Sequence, residues 1–311
     1  MAKILITESV HPIGPALLEA AGHQVVYAER DMDIVRREIV DADAVFVRIL
    51  PLPAEVLATA KKLKVVSKHG VGLDGIDLDY CKSAGIVVAT APNANSRSVA
   101  EHAAAMLLVL AKNIIPVSKE YKEVGFSAKN YTPGTELSGK TLGLIGAGRI
   151  GTHFARICRY GFDMRVLVHD PYATQVPEGI IQISDIDEVF RQADVLSIFC
   201  PLTPDTRRII NQERLAMMKP SAFFVNCARG GLVDEEALIK ALQEKKLAGA
   251  ALDVTDPEPM LPDNPLFNMP NVIVTPHYAP SSIEAALRVS KMGCENILAV
   301  LTGKEPLGRI V

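Results

Sequence analysis

The stretch Thr141-Leu142-Gly143-Leu144-Ile145-Gly146-Ala147-Gly148-Arg149-Ile150-Gly151 constrains the fold more than any other part of the chain. A short apolar run ends in G-x-G-x-x-G, the pattern of a buried strand that turns tightly into a helix. Gly146 serves the turn, Gly148 lets backbone approach a pyrophosphate, and Gly151 permits close packing of helix on sheet. The N-terminus of the helix that follows offers unpaired N–H groups to that anion. A helix predicted over His153 to Tyr160 leads to a second apolar strand, Arg165 to His169, which ends at Asp170. With the acid 19 residues beyond Gly151, this context reads as a dinucleotide site rather than an isolated glycine motif. Asp170 can bind both ribose hydroxyls and repel a 2′-phosphate, and Pro171, Tyr172 and Ala173 supply no cation to pair with one, so NAD is expected over NADP. The same aspartate, followed by proline, can also simply start a turn.

Alternation of β-branched runs with helical patterns continues through the chain. Strands are predicted at Ile4 to Thr7, Gln24 to Tyr27, Ala44 to Arg48, Lys64 to Lys68 and Ile86 to Thr90, with helices at Pro15 to Ala21, Pro53 to Ala60 and Asp77 to Ala84. A second series starts at Leu142 and runs through Arg165 to His169, Val195 to Phe199, Ala222 to Cys227, Gly249 to Val254 and Val272 to Thr275. Strand and helix in turn mean parallel sheets, and 311 residues exceed the usual size of one core. A long apolar helix, Ser98 to Lys112, separates the two series. It is followed by a polar, glycine-bearing stretch, Lys119 to Ser138, which has no clear period and reads as a connecting or subunit-contacting arm. The final helix, Ser281 to Leu301, would complete the first domain if it crossed back to it. The expected class is α/β with two parallel-sheet domains: a Rossmann-type NAD domain, residues 99–281, inserted into a flavodoxin-like substrate domain, residues 1–98 and 282–311.

A formal charge of −3 and 22% charged residues leave no electrostatic footprint for nucleic acid or anionic lipid, so neither nucleic acid nor membrane is expected as a partner. The five cysteines, Cys81, Cys158, Cys200, Cys227 and Cys294, are odd in number and lack C-x-x-C spacing. They read as free thiols in a reducing compartment, with the cytoplasm as default and no metal site expected. The first apolar run is too short for a signal peptide, and the most apolar helix, Ala103 to Ala111, falls far short of the ~20 residues that span a bilayer.

Three polar residues stand just after predicted strands of the second series: Arg229, Glu258 and His277. In open parallel sheets the carboxyl ends of the strands form the ligand crevice, so the three are expected to share the edge that holds the nicotinamide. A cation, a carboxylate and an imidazole are what hydride transfer at a 2-hydroxy acid needs: a carboxylate anchor, a proton carrier and a group that tunes the carrier. Taken singly, each has a plainer reading, as a surface cation, a turn acid between prolines and a loop histidine.

The glycine motif, Cys227-Ala228-Arg229-Gly230-Gly231-Leu232-Val233-Asp234, Asp253-Val254-Thr255-Asp256-Pro257-Glu258-Pro259 and Thr275-Pro276-His277 together resemble the D-isomer-specific 2-hydroxyacid dehydrogenase family. The resemblance extends to Lys68-His69-Gly70-Val71-Gly72-Leu73-Asp74 and Pro92-Asn93-Ala94-Asn95-Ser96. It implies an NAD-dependent oxidoreductase in which His277 is the acid/base and Glu258 hydrogen-bonds the other imidazole nitrogen and favours the protonated ring. Arg229 would clamp the substrate carboxylate and polarise the reacting oxygen. It further implies that Arg149 and Ile150 border the pyrophosphate, Pro201 and Thr206 line the adenosine side, Cys227 and Ala228 offer backbone, and Asp253 holds the carboxamide. Thr206 equally suits a helix cap after Pro204-Asp205.

In the first series Gly70-Val71-Gly72 offers successive N–H groups suited to a carboxylate, though its glycines can also serve only to turn the chain. Arg48, Lys68 and His69 fall at strand ends. As three potential cations they suggest a second anionic group on the substrate, as in a phosphoglycerate; the plainer reading has Arg48 and Lys68 solvated and His69 packed. The alternatives are a hydroxypyruvate, glyoxylate or lactate-type reductase, and, from another class, an NAD-sensing binding protein without turnover. A homodimer through the second domain is expected, and no regulatory domain after Val311.

Overall fold

The β-branched runs become strands and the segments between them helices, in two compact units: Met1–Asn95 with Ser281–Val311, and Ser96–Pro280. The structure, a computed structural model, describes all of residues 1–311.

In the first unit β1 (Lys3–Ile6), β2 (Gln24–Tyr27), β3 (Ala44–Val47), β4 (Val65–Lys68) and β5 (Val87–Ala89) form one sheet in the order β2-β1-β3-β4-β5, parallel throughout. This is the flavodoxin-like doubly wound order. Helices α1 (Ile13–Ala20), α2 (Met32–Glu38), α3 (Ala54–Leu57) and α4 (Leu78–Ser83) make the crossovers. Side chains split between the two faces with the strand period of two. Ile4, Ile6, Ala44, Phe46 and Val65 pack with Cys294 and Ile297 of the last helix, Ile283–Leu301, while Leu5, Val45, Val47, Val66 and Val88 form the opposite core.

The second unit opens with α5 (Ser96–Ala111) and α6 (Ile114–Val124), then β6 (Thr141–Ile145), α7 (Arg149–Arg156), β7 (Arg165–His169), β8 (Ile180–Gln182), α8 (Ile186–Gln192) and β9 (Val195–Ile198). It continues with α9 (Gln212–Met217), β10 (Phe223–Asn226), α10 (Glu235–Gln243), β11 (Gly249–Leu252) and β12 (Val272–Val274). Its sheet runs β12-β11-β10-β9-β6-β7-β8, again all parallel. The chain steps outward from β6 to β7 and β8, then returns to the other side of β6 with β9. That reversal is the Rossmann switch point, where a crevice opens beyond the carboxyl ends of β6 and β9. α5 buries Val99, Ala103, Met106, Leu107 and Leu110 against one face of the sheet. Leu196, Ile198, Phe224, Ala250 and Leu252 pack on the other face.

Three local expectations need correction. The helix after the glycine turn starts at Arg149 rather than His153, because Gly151 sits inside its first turn instead of preceding it. The edge strand Ile180–Gln182 is too short to announce itself by alternation. The stretch read as an irregular arm begins in a helix, Ile114–Val124, and continues as a short 3-10 segment, Gly125–Asn130. No single helix is long and apolar enough to cross a membrane.

Candidate active site

Registered pairing sets His169, Ile145, Ile198, Asn226, Leu252 and Val274 level at the ends of β7, β6, β9, β10, β11 and β12. The loops that follow carry Asp170, Gly146, Pro201, Arg229, Glu258 and His277, so one edge of this sheet bears nearly every candidate of the second unit.

At the switch point Gly146 has φ +98, and a Cβ there would stand 2.8 Å from Cys200 N and 2.9 Å from Phe199 C. Only glycine fits this turn from β6 into α7, which is pressed against the backbone that follows β9. A Cβ on Gly151 would fall 2.2 Å from Gly146 O, which presses the first turn of α7 onto the loop. Around Gly148 the space is open, with nothing within 4 Å of a Cβ. Gly148 is the N-cap of α7, so Arg149 and Ile150 are its first residues and their N–H groups face the start of the helix. Asp170 is already engaged: Oδ2 accepts from Ala147 N at 2.7 Å, and Oδ1 from Tyr172 N at 2.9 Å and Ala173 N at 3.2 Å. The turn reading of Asp170 is thus present in the structure, and the carboxylate ties the glycine loop to the end of β7. Two oxygens with about four lone-pair sites keep room for further donors.

Past β9, Thr206 Oγ1 donates to Pro201 O at 2.7 Å, while Thr203 and Thr206 cap one another's backbone N–H groups. Past β10 the fully buried Asn226 sets the loop: its Nδ2 donates to Arg229 O at 2.9 Å and its Oδ1 accepts from Ala228 N at 3.0 Å. Arg229 Nη1 donates to Ala228 O at 2.7 Å. The Cys227 thiol is buried, and burial, then the nearby Asp253, pushes it well above its usual range. Gly230 lets this loop touch the next, since a Cβ there would lie 2.0 Å from both C and O of Thr255. Thr255 Oγ1 in turn donates to Pro257 O at 2.9 Å, which shapes the segment leading to Glu258.

The loop after β12 is organised by Asp253, whose side chain is wholly buried. Its Oδ1 accepts from Thr275 Oγ1 at 2.5 Å and Tyr278 N at 2.7 Å, its Oδ2 from Ala279 N at 2.9 Å, and its carbonyl from His277 N at 2.8 Å. Those bonds hold His277 at φ +51, a left-handed conformation that an ordinary side chain adopts at a cost of about 1–3 kcal/mol. The ring faces Glu258, with Nδ1 2.6 Å from Oε1. A carboxylate only accepts, so Nδ1 carries the proton in this contact and Nε2 is the nitrogen that Glu258 does not engage. Both side chains are about two-fifths exposed, at 42% and 41%.

In the first unit Val47 pairs with Lys68, which puts Arg48, Lys68, His69 and the Gly70-Val71-Gly72 loop at the carboxyl edge of its sheet. Gly70 has φ +119 and its carbonyl accepts from Ala91 N at 2.9 Å. The three expected cations reduce to two. His69 packs on Phe46 with ring centroids 5.6 Å apart, and burial, then Arg48 and Lys68, lowers it to about 4, so it is neutral near pH 7. Lys68 Nζ donates to Arg48 O, and Arg48 Nη1 lies 3.5 Å from Ser9 O. Sequence reasoning passed over Glu8. It is buried, and its carboxylate accepts from the N–H groups of Arg48, Ile49 and Leu50 at 2.9, 2.6 and 2.6 Å and from the Thr7 hydroxyl. Burial pushes Glu8 upward, but those donors outweigh it and hold the carboxyl below its usual range. Asn226, Thr255 and Thr275 were passed over as well. Their one signal is a polar residue interrupting or directly ending an apolar strand.

Residues 104–279 match the family model described as the D-isomer specific 2-hydroxyacid dehydrogenase, NAD binding domain. A D-3-phosphoglycerate dehydrogenase of Methanocaldococcus jannaschii is 41% identical over 308 residues, covering 98% of this chain and 58% of that protein. The chain thus spans little more than half the length of the phosphoglycerate dehydrogenases it matches. A glyoxylate reductase of Thermofilum pendens is 36% identical over 316 residues, covering 98% of this chain and 93% of the relative. Among solved structures, the TT0316 protein of Thermus thermophilus superimposes with a TM-score of 0.92 at 35% identity, over 99% of this chain and 100% of that one. The chain belongs to the D-isomer specific 2-hydroxyacid dehydrogenase family.

Proposed function

We propose that the chain is an NAD-dependent D-2-hydroxyacid dehydrogenase that interconverts a small 2-hydroxy acid and its 2-keto acid. The observation that carries this reading is the 2.6 Å contact between His277 Nδ1 and Glu258 Oε1, on the sheet edge that also carries the glycine turn. The residues fit the cofactor: Gly148 leaves open space at the start of α7, and Asp170, just past the end of β7, meets the glycine loop at Ala147 N. The pyrophosphate would lie against Gly146, Gly148, Arg149, Ile150 and Gly151, and the adenosine side against Asp170, Pro201 and Thr206. Backbone of Cys227 and Ala228 would border the nicotinamide, and Asp253, its carboxylate buried among Thr275, Tyr278 and Ala279, would serve that side of the site through the loop it holds rather than by direct contact. When bound, NAD supplies the acceptor for the hydride that leaves C2. In oxidation His277 Nε2 takes the hydroxyl proton as that hydride departs; in reduction the imidazolium returns it. Glu258 holds the ring so that Nε2, not Nδ1, does this. Arg229 pairs with the substrate carboxylate through its planar fork.

For the substrate we favour an anionic, phosphoglycerate-like acid, on Arg48 and Lys68 at one sheet edge of the first unit, where Gly70-Val71-Gly72 also offers backbone N–H groups to an anion. The neutrality of His69 supports the second reading, a glyoxylate or hydroxypyruvate reductase, because it removes one of three charges. In these terms residues 1–98 with 282–311 are the substrate-binding domain and 99–281 the NAD-binding domain. The five cysteines are free thiols, the state a reducing compartment keeps, and the cytoplasm is the proposed location. Assembly as a homodimer through the second unit is also proposed.

NADH oxidation with phosphohydroxypyruvate, hydroxypyruvate and glyoxylate tests the reading, with H277Q as control. Turnover is expected, with phosphohydroxypyruvate preferred. H277Q is expected to lose about 10²-fold or more in kcat while binding NADH as the unaltered chain does. NADH binding without reduction of any ketoacid would favour the sensing alternative, and a preference for glyoxylate would remove the second anion.

A further inference from the structure

His102 lies in α5, which packs against β10, β11 and β12, and the proposed reaction makes no use of it. Its Nε2 is 3.2 Å from Thr275 Oγ1 and 3.6 Å from Asp253 Oδ1, and Thr275 Oγ1 is 2.5 Å from that same carboxylate oxygen. A hydroxyl owns one proton and a carboxylate accepts only. The Thr275 proton therefore points at Asp253, the hydroxyl turns a lone pair to His102, and His102 Nε2 must itself carry a proton. The ring also stands 6.1 Å from that of Tyr278, directly after His277, while Met106 Sδ closes the other side of the hydroxyl at 3.7 Å. The groups facing His102 are thus one buried carboxylate, one hydroxyl and one phenol ring.

We propose that His102 is a positioning residue: its Nε2–H donates to Thr275, fixes the threonine proton on Asp253, and so secures the left-handed loop that presents His277. It touches no reacting atom. Asp253 is the hub of that loop, and a Thr275 hydroxyl free to rotate would leave one of its oxygens short of a donor.

The tautomer is read in the cofactor-free protein, from long-range proton–nitrogen correlations of the His102 ring. A protonated Nε2 is expected, and a bare Nε2 overturns the proposal whatever the enzyme does. The kinetic arm rests on the reductase reading. H102L should lower kcat about 10-fold or more with the ketoacid KM within about twofold, as expected when a reacting group is slightly misplaced. H102Q, which can donate from nearly the same place, should restore most of it. T275V should resemble H102L, and the double variant H102L/T275V should be no worse than either, because both remove one interaction. Wild-type kcat in H102L, or equal loss in H102Q and H102L, would overturn the assignment. If the unaltered chain turns over no ketoacid, the reductase reading falls and the ring spectrum alone decides this one.

Discussion

The proton on His277 Nδ1 is spoken for by Glu258, which leaves the charge of that carboxylate as a variable separable from its hydrogen bond. E258Q keeps an acceptor for that proton while removing the charge, whereas E258L removes the acceptor itself. If the contact holds the ring in place for transfer, E258L should lower kcat about 10-fold or more with NADH affinity unchanged and E258Q should restore most of it, read from initial rates with NADH saturating. Equal loss in the two variants would show that the acceptor alone does not hold the ring. His69 makes the opposite kind of test, on stability. Its folded value, about 4, lies below the ordinary 6.5 because burial, then Arg48 and Lys68, disfavours the charged ring. Between those values the unfolded chain binds the extra proton, so stability is full above about pH 6.5 and falls as pH drops toward 4, by about 3 kcal/mol at most. H69F should flatten this part of the urea-midpoint profile between about pH 7 and 5. A slope unchanged by H69F would assign the acid sensitivity elsewhere.

Between strand ends, the site depends on loops that touch, and Gly230 is where two of them do. A Cβ at that position meets backbone, C and O of Thr255 at 2.0 Å, with no flexible side chain able to yield. G230A must part the Arg229 loop from the segment leading to Glu258. A loss of about 1–3 kcal/mol in urea stability and of about 10-fold in kcat is expected; wild-type kcat would show that the loops need not meet. The strands themselves were legible because a parallel sheet writes continuous apolar runs, and the order of its switch follows from the strand that carries the glycine turn. Arg229, Glu258 and His277 stood out for the same reason, each being a polar group just beyond such a run. The supports did not. Thr275 and His102 act through bonds between loops and from helix to loop, which leave no spacing in the sequence, while Asn226 and Thr255 make short bonds inside their own loops of a kind that any polar loop residue can make. β8 and α6 escaped because the first is three residues long and the second buries none of its residues.

That exposed helix belongs to the scale of the assembled molecule. α6 has 11 residues, and helices of that length are marginal in water unless a face is covered. Ile114, Ile115, Tyr121 and Val124 on it, with Phe126 just after it at 75% exposure, present an apolar surface that the unit itself leaves open. Singly exposed apolar residues need no explanation, but five within 13 positions form a patch of the kind that marks an interface. In the proposed homodimer a second copy of the chain would meet the same patch by two-fold symmetry, so each aromatic would count twice. Burying one such side chain contributes about 1.5–3 kcal/mol, so Y121D/F126D should weaken self-association by at least about 100-fold. Sedimentation should find the unaltered chain at twice the chain mass and the variant at the single mass at micromolar concentration. The glycine turn of the variant is unchanged in sequence, so NADH affinity should persist in the monomer and show that the loss is of assembly and not of fold. An unaltered chain that sediments as a monomer would leave the patch to some other partner.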